Sequence, residues 1–576
     1  MEERVNHYLN ARHRARKLAG QHADQLGFAR KFLAGLLLSY FPSATPPPVP
    51  PLTNKLAMEL GFIAQGLDPQ MAAYLISTTY TVMLPPDYRG KYGVFYTPPA
   101  LVGRLLDLAQ KSGIDWSTAQ VLDPACGGGA FLAPVAQRMR TSLSHLSPQD
   151  RIGHIEKHLA GMEIDPFSAW MSQVFVEIAL KDDIACTGRR MRDVIEIRDS
   201  LKTDENHFAR FDLVVGNPPY GRIKLSGEER EKWRRSLFGH ANQYGLFSDL
   251  ATRLVRPGGT IAYVTPTSFL GGQYFQALRK LLSSKTPPIA IDFIAHREGV
   301  FDDALQEALI AVYKKSNTAA PIRVSYLSLM ETGKIAVQEN GTYSLPDNPG
   351  APWILPRNPE QSRLATLARH LPTRLADLGY TVSTGPLVWN RHKEKLLAIR
   401  EKGAVPLVWA ECIDQEGTGT FTFKATGRNH VPWYMPTHSS DANLVRKGCV
   451  LLQRTTSLEQ SRRLIAAELS QEFIDQYGGA VTVENHLNMV RPIPSQKPLV
   501  SLSAIVALLN SYTVDQIFRC INGSAAVSAY ELEAMPLPSP KECKKLESML
   551  ACGAARSDME QAIKEMYCNV RLSAAA

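Results

Sequence analysis

The chain has 576 residues, 44% of them hydrophobic and 21% charged, so it is too long for one core and too apolar for a disordered chain; about three domains are expected. No apolar run approaches the length of a membrane span, and the eight cysteines are scattered without a CxxC pair or a histidine at zinc spacing, so they read as reduced and structural, with no metal site. A net charge of +9, from 64 Lys and Arg against 55 Asp and Glu, favours a polyanionic partner.

Met1-Glu2-Glu3-Arg4 lacks the basic start and apolar core of a secretory signal, which points to a cytoplasmic protein with no membrane partner. Residues 1–85 read as a helical N-terminal segment, split by a proline-rich break at 42–51. Its surplus of bases, among them Arg12, Arg14, Arg16 and Lys17, allows a phosphate-contacting arm, but a helical cap on the next domain is the favoured reading. Tyr96-Thr97-Pro98-Pro99 then leads into a helix over 101–110, with Thr97 in the N-cap region. Such a start offers free N–H groups and a hydroxyl to a carboxylate.

Residues 120–132 run from an apolar strand through Asp123-Pro124-Ala125-Cys126-Gly127-Gly128-Gly129 into a helix. The glycines let a ligand touch the backbone, and Asp123 at the strand end can take an ammonium group. The loop has neither the GxGxxG spacing of dinucleotide sites nor the GK[ST] of P-loops, so a nicotinamide or triphosphate ligand is disfavoured. A second strand ends at Glu163-Ile164-Asp165, where an acid binds ribose hydroxyls, and a third at Asp199-Ser200, where a carboxylate can accept from an adenine amino group. The fourth, over 211–215, opens into Asn217-Pro218-Pro219-Tyr220. Four strands in succession thus end in polar or glycine residues, where the ligands of open α/β sheets bind. The alternation continues through a helix over 246–255, a strand over 258–265, a helix over 274–282 and strands over 289–294 and 308–313.

The tetrad can be a simple turn after a buried strand. It can also be a grip for a planar amino group. Two successive prolines fix φ and remove two donors, so nearby carbonyls stay free to accept; Asn217 adds a carbonyl and Tyr220 a flat face. Two acceptors aimed at an exocyclic NH2 leave its lone pair facing an electrophile.

In combination and order, Tyr96-Thr97-Pro98-Pro99, the loop from Asp123 to Gly129, Glu163-Ile164-Asp165-Pro166, Arg198-Asp199-Ser200 and the Asn217 tetrad resemble the N6-adenine DNA methyltransferases of restriction-modification systems, in the class whose cofactor motif precedes the catalytic one. The resemblance spans residues 93 to about 315, and it implies an α/β fold. A Rossmann-like S-adenosylmethionine-dependent methyltransferase sheet would carry a helical N-terminal segment and a C-terminal α+β target-recognition domain. It implies S-adenosylmethionine as cofactor, held by Tyr96, Thr97, Asp123, Ala125, Cys126, Gly127, Gly129, Glu163, Ile164, Asp199 and Ser200. It further implies that Asn217, Pro218, Pro219 and Tyr220 are catalytic, gripping the N6 amino group of an adenine flipped from duplex DNA, with Tyr220 on one face and Phe301 on the other. A strand-edge core position is the equal alternative for Phe301.

The catalytic domain is expected over 86–320, a linker over 321–375, the target-recognition domain over 376–540 and a C-terminal helix over 541–576. Trp389, Arg391, Lys393, Arg454, Arg462, Arg463 and Asn485 are of types that contact phosphates and base edges, and are the candidate DNA-binding residues. The expected function is site-specific DNA methylation by a monomer acting on double-stranded DNA; a separate cognate endonuclease is left open. The alternatives are methyl transfer to N4 of cytosine, to RNA adenine or to a protein glutamine amide, and, outside catalysis, a DNA-binding subunit that kept the fold. No fused nuclease is expected, because residues 1–85 lack a spaced PD and (D/E)xK set.

Overall fold

The computed structural model describes residues 2–92, 96–295, 307–316, 318–330, 334–425, 430–456, 460–522 and 524–569. Phe301 and the Gly93-Val94-Phe95 part of the first motif lie outside them. The described chain divides into two units, one of residues 1–266 and 274–350, the other of 267–273 and 351–576.

The first unit opens with five helices, α1 (Glu2–Ala19), α2 (Gln25–Tyr40), α3 (Lys55–Gln65), α4 (Pro69–Met83) and α5 (Pro86–Tyr92). Polar caps set their starts: Asp24 accepts from the Gly27 amide, Asn54 from Leu56 and Ala57, and Asp68 from Gln70 and Met71. α6 (Pro99–Lys111) and β1 (Val121–Asp123) follow, then α7 (Leu132–Ser142), α8 (Pro148–His158), β2 (Leu159–Glu163), α9 (Pro166–Ala179), α10 (Lys181–Thr187) and β3 (Ile195–Ile197). The helical caps are not a loose appendage, since Phe32, Leu36, Leu60, Ile76 and Tyr80 share one buried cluster with Phe167, Trp170 and Val174 of α9.

β4 (Phe211–Gly216) is followed by a two-stranded ribbon, β5 (Arg222–Ile223) and β6 (Ala241–Asn242), with the short α11 (Gly227–Lys232) between its strands. α12 (Gln243–Leu254), β7 (Val255–Pro266), α13 (Gln276–Lys285), β8 (Pro288–Ile294) and β9 (Ala308–Lys314) continue the alternation, and β10 (Ile322–Leu329) and β11 (Ile335–Tyr343) close it. The nine sheet strands lie in the order β11-β10-β8-β9-β7-β4-β1-β2-β3. β7, β4, β1, β2 and β3 are mutually parallel, β9 runs antiparallel to both β7 and β8, and β11 antiparallel to β10. This is the Rossmann-like methyltransferase sheet expected from the sequence.

From β1 the chain winds outward through β2 to β3, then returns to β1's other side with β4. The strand order therefore reverses between β1 and β4, the place where open α/β sheets bind ligands. The register sets Leu122 beside Val214, so the glycine loop and the Asn217 tetrad leave neighbouring strand ends. Gly216 makes this closeness possible. Its φ is +155°, and a Cβ there would stand 2.6 Å from Asp123 Oδ1.

Two strands, β10 and β11, lie within the stretch expected as a linker. The alternation of Ile322, Val324 and Tyr326 with polar residues carries the first, whereas β11 is an exposed edge with mostly polar side chains, which hid it.

The second unit holds a four-stranded antiparallel sheet in the order Tyr380–Thr384, Leu487–Pro492, Cys449–Gln453 and Ala466–Leu469, together with a five-stranded mixed sheet of short strands. Its main core joins Val450, Leu452 and Val490 to helical residues such as Ile505, Phe518 and Ile563. This is the expected α+β composition. The single C-terminal helix is instead two, Pro540–Ala551 and Arg556–Cys568, broken at Gly553 with its φ of +70°. Among the described residues, no helix is long and apolar enough to cross a membrane.

Candidate active site

A cavity of about 600 Å³ opens at the carboxyl ends of β1, β2, β3 and β4. The glycine loop forms one wall. Cys126 donates its amide to the Met162 carbonyl (3.1 Å), Ser200 Oγ donates to the Pro124 carbonyl (2.5 Å), and Ala125 donates to Asp123 Oδ1 (3.0 Å), so the loop is tied to β2, to the segment after β3 and to its own strand. Gly127, at φ +52°, turns its amide onto Glu163 Oε2 at 2.9 Å, and the other carboxylate oxygen accepts from the Asp165 amide at 2.9 Å. Burial pushes the Glu163 carboxyl up, and these two amide donors pull it back. Ile164, more than half exposed, and Asp199, whose Oδ1 accepts from the Leu201 amide, line the same space.

Asp123 is buried at 1% exposure, and burial, with Glu163 nearby, pushes its carboxyl up to about 8. Its Oδ2 has no hydrogen-bond partner among the described residues. Beneath the loop, Tyr96 is buried against Gly128, where a Cβ would stand 2.5 Å from the phenol oxygen. The N-terminal helices reach this wall directly. Arg30 of α2 donates to Asp165 Oδ1 (2.7 Å) and to the Tyr88 hydroxyl (3.2 Å), while Asp165 Oδ2 caps α9 through the Ser168 amide.

The opposite wall is the tetrad. Asn217 Nδ2 donates to Thr97 Oγ1 at 3.2 Å, and the Tyr220 hydroxyl donates to Asn217 Oδ1 at 2.7 Å, so both ends of the amide are oriented. The Tyr220 ring meets Tyr244 edge-on at 6.1 Å, and burial pushes its phenol up. Among the described residues, no backbone N–H donates to the Pro218 carbonyl. Thr97 corrects one expectation: Pro98 occupies the N-cap of α6 without a side-chain bond, and the Thr97 hydroxyl serves Asn217.

Of the residues singled out from the sequence for this site, Tyr96, Thr97, Ala125, Cys126, Gly127 and Glu163 line the cavity, as do Ile164, Asp199 and Ser200. So do Asn217, Pro219 and Tyr220. Asp123, Gly129 and Pro218 stand behind this lining, and Phe301 lies outside the described residues. Sequence reasoning missed Arg222, Lys224 and Gln243, which also line it.

In the second unit, Arg391 and Lys393 are exposed, with the Lys393 ammonium 5.6 Å from the centre of the half-buried Trp389 ring. Arg454 donates to the Asn485 carbonyl at 3.1 Å, and Arg462 to the Asn510 carbonyl. Arg463 is a correction. It is 1% exposed and donates to Asn522 Oδ1 (3.0 Å) and the Ser524 carbonyl (2.6 Å), so its guanidinium holds the unit's interior together and does not face a phosphate.

Fold and site geometry define the class: a Rossmann-like methyltransferase unit with its glycine loop and Asn-Pro-Pro-Tyr tetrad on adjacent strand ends. Residues 157–301 match the Eco57I restriction-modification methylase family, and the chain resembles the methyltransferases of restriction-modification systems. It is 27% identical over 473 residues to the Type II methyltransferase M.BsuBI of Bacillus subtilis, covering 78% of this chain and 88% of that one. It is 28% identical over 362 residues to M.PstI of Providencia stuartii, covering 61% and 69%. Among solved structures, the Type IIL restriction-modification enzyme MmeI in complex with DNA shares the fold, with a TM-score of 0.55 at 14% identity over 91% of this chain and 82% of that one.

Proposed function

We propose that the protein transfers a methyl group from S-adenosylmethionine to the N6 amino group of an adenine turned out of duplex DNA, as the modification enzyme of a restriction-modification system. One observation carries this reading: the Asn217 carbonyl, the Pro218 carbonyl and the Tyr220 ring leave a strand end beside a glycine loop and two carboxylates, with Asn217, Tyr220, Gly127, Glu163 and Asp199 on one cavity. Relatives named Type II methyltransferases and a fold shared with an enzyme solved on DNA support it.

The residues fit the cofactor. Glu163 keeps lone pairs for ribose hydroxyls beyond its two amide bonds, Asp199 Oδ2 can accept from an adenine amino group, and the unpaired Oδ2 of Asp123 suits an ammonium. The bound cofactor supplies an electrophilic sulfonium methyl. Thr97 holds the Asn217 amide so that Oδ1 is offered to the incoming amino group, which must replace the Tyr220 hydroxyl there. Asn217 Oδ1 and the Pro218 carbonyl then accept its two N–H bonds, and the nitrogen lone pair is left for attack. The Tyr220 face offsets part of the few kcal/mol that unstacking the base costs.

The test is incubation with methyl-labelled S-adenosylmethionine and unmethylated duplex DNA, then nucleoside chromatography. Label in N6-methyladenosine, lost in Asn217→Ala while cofactor binding persists, is the expected result. Label in cytosine, RNA or protein alone overturns the reading.

A further inference from the structure

The ribbon that follows the tetrad carries a feature that neither the cofactor loop nor the tetrad uses. Between Gly221 and Asn242 the chain has six basic side chains: Arg222, Lys224, Arg230, Lys232, Arg234 and Arg235. Four are engaged within the protein. Arg230 donates to the Gly239 carbonyl (2.9 Å), Lys232 to the Leu201 carbonyl (2.6 Å), Arg234 pairs with Glu231 (3.0 Å), and Arg235 with the buried Asp249. Arg222 and Lys224 are different: both are exposed, neither makes a hydrogen bond or ion pair among the described residues, and both line the cavity that holds Asn217 and Tyr220.

Their position is held by the backbone. Arg222 pairs with Asn242 across the ribbon, and the Gln243 amide donates to the Gly221 carbonyl at 2.9 Å, which ties the start of the ribbon to the first residue of α12. The two cations therefore stand two and four residues beyond the stacking ring on a braced segment. Two unneutralised positive charges beside a polar cavity raise the local concentration of anions and cost free energy through mutual repulsion until an anion arrives. A base inserted against Tyr220 carries a phosphodiester on each side of its sugar, and both remain outside the pocket, at its mouth, where Arg222 and Lys224 are.

Building on the proposed function, we infer that Arg222 and Lys224 hold the phosphodiesters flanking the flipped nucleotide, and so position the target base. They are positioning residues, not catalytic ones. The shared chemistry, an anion at the cavity mouth, could also come from the carboxylate of the cofactor, and the test separates the two.

Wild type is first used to find the modified site by sequencing methylated DNA. Arg222→Gln/Lys224→Gln is then compared with it on a duplex oligonucleotide bearing that site, and on the same duplex with neutral methylphosphonates beside the target adenine. The double variant is expected to raise the KM for DNA at least tenfold, to keep kcat at saturating DNA within about threefold, and to flatten the plot of log affinity against log salt by about one to two units, at roughly 0.9 per phosphate released. S-adenosylmethionine affinity is expected to stay within twofold. The methylphosphonates should cost wild type about as much as the double substitution does, and cost the variant little more. An unchanged KM and salt slope, a further full loss on the methylphosphonate duplex, or weakened cofactor binding with DNA binding intact would each overturn the inference while leaving the methyltransferase reading standing. A wild type that modifies no DNA overturns both.

Discussion

Replacing Thr97 by valine tests whether that residue serves the cofactor or the amide. The side chain is 3% exposed, and the substitution keeps its shape while removing the one oxygen that accepts from Asn217 Nδ2 at 3.2 Å. A neutral hydrogen bond is worth about 0.5–1.5 kcal/mol net, and stranding its donor costs about 1–3 kcal/mol when that donor is buried. Asn217 is half-buried, so about 1–2 kcal/mol of amide orientation is at stake, which corresponds to a fall in kcat of roughly 5- to 30-fold. Single-turnover methylation of duplex DNA with saturating S-adenosylmethionine reads the chemical step, and equilibrium titration reads cofactor affinity. The first is expected to fall and the second to change less than twofold. A cofactor affinity that drops by the full factor, with single-turnover rates restored at saturation, would show that Thr97 works on the cofactor and that its bond to Asn217 is incidental.

Three further outcomes are expected. Tyr220→Phe, which frees Asn217 Oδ1 and keeps the ring, should alter single-turnover rates by less than about fivefold, whereas Tyr220→Ala should lose far more; equal losses refute a stacking role. Asp123 holds a proton in the folded protein up to about pH 8 that the unfolded chain releases near pH 4, so its contribution to stability falls as pH rises between those values, by at most about 1.4 kcal/mol per unit. Urea unfolding of Asp123→Asn should accordingly gain on wild type across that window and level off above it; a constant difference sinks the assignment. Arg463→Ala, which strands Asn522 and empties a buried site, should lower unfolding free energy by about 2–4 kcal/mol in denaturant titration without changing the salt slope of DNA binding.

The cofactor side of the site was legible because each element announces itself locally: an apolar strand, then glycines or a carboxylate at its end. Glu163, Asp199 and Asn217 could be assigned to strand ends before any coordinates, and the topology then placed those ends side by side. What stayed hidden depends on long-range geometry. That Thr97 reaches Asn217, 120 residues away, leaves no trace in spacing. Arg463 reads as a surface base because Arg462 and Arg463 are adjacent; only the fold shows one reaching Asn510 and the other turned inward to Asn522. The ribbon of β5 and β6 escaped notice because two-residue strands carry no periodicity. β9 was recognisable as a strand, but nothing in its apolar residues says that it enters the sheet in reverse.

The missing carbon at Gly216 has a thermodynamic side. With Asp123 Oδ1 where a Cβ would be, the strand that delivers the base-gripping loop and the one that delivers the cofactor loop have no slack between them. Whatever displaces one carboxylate is felt one strand over. Occupancy at either loop is thereby linked to affinity at the other, and linkage is reciprocal: the factor by which cofactor tightens the grip on the target base equals the factor by which the base tightens the grip on cofactor.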